Sequence, residues 1–94
     1  MKIERDIGVA IYTKEDYKRL LEISDDRSTM NDTWAEWNKK KEEMKKNFRS
    51  LGIKVKDVKI DLEQLIRYCQ LYGLPNNSKT RAQFVQEKMS GTIE

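Results

Sequence analysis

Histidine is absent from this sequence, and with it goes the commonest general base and metal-binding nitrogen at neutral pH. Cysteine occurs once, at Cys69, so neither an intrachain disulfide nor a thiolate zinc site can be built from the chain alone. The four glycines, Gly8, Gly52, Gly73 and Gly91, stand far apart, which excludes a glycine-rich phosphate loop. Proline is limited to Pro75, and no apolar run approaches the ~20 residues that span a bilayer. The first residues also lack the apolar core of an export signal. These absences give the expectation of a cytoplasmic protein with a reduced thiol, no membrane association, no cofactor and no metal. An enzyme would have to draw on carboxylates, lysines and tyrosines at scattered positions, so the reading is non-enzymatic.

What is present favours one small domain spanning residues 1–94. A chain of 94 residues buries only about 60 to 65% of its unfolded surface, so the core is small. Hydrophobic and charged residues each make up 37%, a polar balance that leaves room for a core shared between two copies. Two Trp, four Tyr and two Phe argue against disorder. The net charge is +3, and all of the excess lies in the second half, too little to imply nucleic-acid binding by itself.

The longest helical reading is TWAEWNKKKEEMKKNFRSL, residues 33–51. Thr33 followed by Glu36 is a capping box, and Gly52 follows the last periodic residue as a left-handed cap. Trp34, Trp37, Met44, Phe48 and Leu51 recur on one stripe, with Lys41 in its gap, and this stripe is expected to be buried. Lys39, Lys40, Lys45, Lys46 and Arg49 fall on the other faces among Glu42 and Glu43.

Taken in order, Met1–Asp6 is a loose start, and Ile7–Tyr12 (IGVAIY) is short and β-branched, as a buried strand is. Thr13 with Asp16 caps a helix over 14–24, and residues 24–32 (SDDRSTMND) form a polar loop. Ile53–Ile60 alternates with one slip at Lys56–Asp57, which predicts a half-exposed strand with a bulge or kink there. Asp61 caps a third helix that carries Leu62, Leu65, Ile66, Cys69 and Tyr72, and Gly73 and Pro75 stop it. Asn76, Asn77 and Ser78 form a turn and cap, and a fourth helix runs from Lys79 to Met89 with Ala82, Val85 and Met89 on one face and Phe84 off that line. Residues 90–94 are a fraying end. The fold class is α+β, mainly helical, in the order β-α-α(long)-β-α-α, with a small two-stranded sheet and helices on one face.

Three groups of residues invite a functional reading. Asp25, Asp26 and Asp32 are the densest acidic group, but their spacing does not follow a calcium loop, so they read as capping and loop residues. Trp34 and Trp37 read either as core or as an anchor pair for a partner protein. The lysine-rich helix, through the run Lys39, Lys40 and Lys41 with Lys45, Lys46 and Arg49, reads as a solvated face or as a track for phosphates.

Two resemblances add to this. The segment LEQLIRYCQLYGLPNNSKTRAQFVQEKM, residues 62–89, resembles the SAP module, a helix, extended loop and helix that binds DNA in its family. The likeness lies in the apolar stripe before Gly73, the Gly73-Leu74-Pro75 turn, Lys79 and the amphipathic helix that follows; Ser78 stands where that family has glycine. It implies phosphate contacts at Lys79, Arg81 and Lys88. Taken whole, the succession YTKEDY, DTWAEW, an alternating strand ending in Asp61, YC and TRAQFV resembles a family of small bacterial proteins. That likeness implies a bacterial cytosolic protein and supplies no site residues.

The leading functional reading is a protein-association domain, either a homodimer or a subunit bound to another protein. The alternative is a nucleic-acid-binding accessory protein that uses the lysine-rich helix or the C-terminal hairpin.

Overall fold

A computed structural model describes residues 6–91. The elements are β1 (Asp6–Ile11), α1 (Lys14–Ile23), a 3₁₀ turn (Arg27–Thr29), α2 (Trp34–Ser50), β2 (Lys54–Lys59), α3 (Leu62–Tyr72) and α4 (Ser78–Met89). The fold is thus α+β and mainly helical, in the expected order. Of the loose ends expected at Met1–Asp6 and 90–94, residues 1–5 and 92–94 lie outside the described residues; Asp6, expected in the loose start, is instead the first residue of β1, and residues 90 and 91 form a turn after α4.

Each helix starts where the sequence places a cap. Thr13 Oγ1 accepts from the Asp16 N–H at 3.1 Å, and Thr33 Oγ1 accepts from the Glu36 N–H at 3.2 Å. The Glu36 carboxylate does not reach back to the backbone but takes the Thr33 hydroxyl proton at 2.9 Å. Asp61 receives the N–H groups of Glu63 and Gln64, and Asn77 receives that of Thr80. Gly73 ends α3 at φ +62°, a left-handed conformation that side chains disfavour.

β1 and β2 pair in parallel, from Asp6 opposite Lys54 to Ile11 opposite Lys59. Parallel strands need a long crossover, which α1 and α2 supply. The ladder is unbroken, so the bulge expected at Lys56–Asp57 does not form. The alternation slips for a different reason. Side chains one residue apart face opposite sides of the sheet, and both sides are covered. On the side of Val55 and Asp57 lies α2, whose Lys45 reaches Asp57 Oδ1 at 2.6 Å. On the side of Gly8 and Val58 lies α4, so close that a Cβ on Gly8 would collide with Met89 Sδ and stand 2.8 Å from Val85 Cγ1. The helices therefore flank both faces, not one.

The main core collects where the strands end. Tyr17, Leu20, Ile60, Leu65 and Phe84 are fully buried there. Phe84, off the expected stripe of α4, meets Tyr68 of α3 edge-on at 5.3 Å, while Val85 and Met89 meet the sheet. Because α4 packs on two elements at once, its buried arc is wider than one stripe, and Ala82 is exposed. The stripe of α2 also needs correction. Met44 is 39% and Leu51 73% exposed, whereas Lys45 is only 6% exposed. Its ammonium group is held by Asp57, with Glu42 Oε2 at 3.8 Å, and this pairing is what makes the burial affordable.

Candidate binding cleft

A cleft of about 740 Å³ opens along β1 between α2 and α4. Its floor is the consecutive run Ile7, Gly8, Val9 and Ala10. One wall comes from α2, through Trp37, Lys40, Lys41, Met44 and Phe48, and the other from α4, through Arg81, Ala82, Val85 and Gln86. Tyr12, Tyr17 and Met30 close the end near the core.

The floor is the unpaired edge of a sheet. Beyond the ladder with β2, no hydrogen bond among the described residues reaches the backbone of residues 6–11. An edge strand carries N–H and C=O groups directed away from its neighbour, and here they face the cleft. Asp6 is the sole charge in β1, so the floor is apolar apart from its backbone.

The closed end is held by ring contacts and hydrogen bonds. Tyr17 stacks on Trp37 with ring centroids 5.3 Å apart, and Tyr12 tilts against Trp37 at the same distance. The Tyr17 hydroxyl donates to the Asn31 carbonyl at 2.6 Å, and the Trp34 Nε1–H donates to the Tyr12 carbonyl at 2.8 Å. Burial pushes the Tyr12 hydroxyl up to about 12, and burial also raises Tyr17, so neither serves as a base near neutrality.

Asp26 and Arg81 anchor the α4 wall. Arg81 grips the Asp26 carboxylate through Nη2 at 2.9 and 3.1 Å and reaches Asn76 Oδ1 and Ser24 Oγ through Nη1. Asp26 also receives the Ser78 N–H at 2.9 Å, and Asp25 receives the Asn76 N–H at 2.8 Å. Burial by itself would raise the Asp26 carboxyl; the Arg81 hydrogen bonds and charge and the Ser78 N–H outweigh it and hold the carboxyl below its ordinary range. The aspartates thus pin the α3–α4 connection, and Asp32 pairs with Arg27. Among the described residues no cluster of metal-ligating side chains forms.

That leaves Lys40 and Lys41 as the cleft's uncompensated charges. Neither pairs with a carboxylate among the described residues; the Lys41 ammonium lies 5.1 Å from the Trp37 ring. Compared with known proteins, the chain matches no family model, no curated relative and no solved structure.

Against this geometry the residues singled out from the sequence separate. Trp37 lines the cleft, whereas Trp34, half-buried, serves Tyr12 and Lys14 instead. Lys39, Lys40, Lys46 and Arg49 are exposed on α2, but Lys45 is committed inside the chain. In the C-terminal hairpin Lys79 is exposed, Arg81 is bound to Asp26, and Lys88 donates to Gln64 Oε1 at 2.7 Å. Sequence reasoning missed Met30, Ala82 and Gln86 as parts of one site with Trp37, Lys40 and Lys41. The uncharged run of β1 was the available signal, since edge strands are ordinarily guarded by charge.

Proposed function

We propose that this protein is a cytoplasmic association domain that acts by binding and carries out no reaction of its own. The observation that supports it is the cleft, in which the unpaired edge of β1 meets apolar helix walls. An exposed strand edge beside apolar surface is a recurring mode of protein recognition. The partner is another protein or a second copy of this chain. Nothing in the cleft resembles an acid-base pair: its carboxylate is bound to Arg81, and burial keeps the hydroxyls of Tyr12 and Tyr17 protonated. Burial also raises the Cys69 thiol, in keeping with a reduced, unreactive cysteine in a cytoplasmic setting.

The nucleic-acid reading draws on Lys39, Lys40, Lys46, Arg49 and Lys79, but three of its eight residues, Lys45, Arg81 and Lys88, already have partners inside the chain. The association reading is tested by comparing the full-length protein with Ala82→Trp, which fills the cleft from an exposed helix position. Displayed random octapeptides are expected to include binders that the filled variant loses, and light scattering at tens of micromolar reports whether a second copy takes the same surface. Absence of any binder sensitive to Ala82→Trp, together with a strict monomer, removes the reading.

A further inference from the structure

We infer that the occupant of the cleft is an extended, acidic segment of another protein, added to β1 as a third strand. This rests on the association reading above and names the partner's conformation and charge.

The floor decides the conformation. A helix satisfies its own backbone and would leave the outward N–H and C=O groups of β1 unpaired beneath it, at a cost comparable to lost hydrogen bonds. An extended segment pairs with them. Running beside Ile7–Ala10, it would lie about 4.8 Å from β1 and alternate its side chains between the two walls. On the α2 side they would meet Met44 and Phe48, and on the α4 side the small Ala82 and the polar Gln86.

The charge is decided by what remains unpaired. Asp26 and Arg81 neutralise each other, so Lys40 and Lys41 set the sign of the potential in the cleft. Carboxylates on the incoming strand would complement them. A second copy fits less well, because it would offer DIGVAI, with Asp6 as its lone charge, and bring its own Lys40 and Lys41 to the junction. A nucleic acid would find two lysines but also Met44, Phe48, Ala82 and Val85, surfaces that phosphates avoid.

The test uses the full-length protein and a displayed library of octapeptides randomised at every position. Binders are expected to be acidic and rich in β-branched residues, without central proline, and to slow amide exchange in residues 7–10. Replacing both lysines, Lys40→Glu with Lys41→Glu, is expected to weaken them by about tenfold, two attractions having become repulsions. Lys40 is exposed but Lys41 is half-buried against Trp37, so a small drop in denaturation midpoint is expected, and binding is compared where both proteins are fully folded. Binders lost on filling the cleft with Ala82→Trp, yet basic, helical or indifferent to the lysine reversal, would overturn this inference and leave the association reading standing. A library yielding no cleft binder to a protein that is also a strict monomer would overturn both, and a dimer that protects residues 7–10 would replace the peptide by a second copy.

Discussion

The two edges of the sheet are built to opposite rules. β2 presents KVKDVK, four charged residues in six, and its Lys54, Lys56, Asp57 and Lys59 are all exposed. Charge along an edge discourages another strand from pairing there, since the newcomer would have to bury or repel it. β1 presents DIGVAI, and no charge follows Asp6. Its protection is recessed position: α2 and α4 rise on either side and leave room for a chain between them. On the association reading, one edge refuses partners by chemistry, and the other filters them by shape. On the same reading, the difference would let a domain with so small a sheet keep one edge available without pairing through the other.

The comparison can be broken at four points. The largest effect is expected where the α4 wall is anchored. Arg81→Met leaves the largely buried Asp26 carboxylate with only backbone N–H groups, that of Ser78 among them, at a cost of about 2–4 kcal/mol by chemical denaturation. Because the folded Asp26 carboxyl is depressed, the parent's contribution from this pair is fully present above the unfolded carboxyl value of about 3.9 and is lost as pH falls through the lower folded value. The variant's stability should accordingly fall less steeply below pH ~4 than the parent's.

Next is Gly8→Ala, which drives a methyl into Met89 and Val85 and pushes α4 from β1. A loss of about 1–2 kcal/mol is expected, overpacking being partly offset by the stiffer unfolded chain. Adding Met89→Ala should recover part of it, and a neutral Gly8→Ala would contradict the close approach.

Third, Asp57→Asn deprives buried Lys45 of its near partner and leaves Glu42 at 3.8 Å, for an expected loss of about 1–2 kcal/mol. Lys45→Met combined with Asp57→Val should recover most of that, since the pair's burial costs about what its attraction returns. A double variant worse than Asp57→Asn would mean that the pair itself stabilises β2.

The smallest change in stability is expected from Lys54→Val with Lys56→Val, within about 0.5 kcal/mol. Its effect should appear as time-dependent light scattering, as an unguarded edge recruits other chains. A variant that stays monomeric would show that charge is not what guards β2.

Much of the fold was legible because its signals are local. Thr13, Thr33, Asp61 and Asn77 each cap a helix through an N–H two or three residues away, so the four starts can be read from short windows. The strands were placed within a residue or so for the same reason. Their mutual direction and the absence of a bulge were not, because the slip at Lys56–Asp57 has the same pattern whether a residue is looped out or both faces are covered. Met44 and Lys45 show the limit most clearly. Periodicity puts the methionine inside and the lysine outside, yet Asp57, which reverses them, is 12 residues beyond Lys45.

The cleft was legible only in fragments. Trp37, Lys40 and Lys41 stood out by type, whereas Ala82 reads as core. By itself the sequence determined which segments are helix and strand and where each begins, since those choices are settled within a few residues by capping and side-chain period. Tertiary structure decided the parallel pairing, the buried lysine, the arginine that ties residue 81 to residue 26 across 55 positions, and the open edge between two helices. These depend on what lies opposite a side chain in space, and no local pattern encodes that.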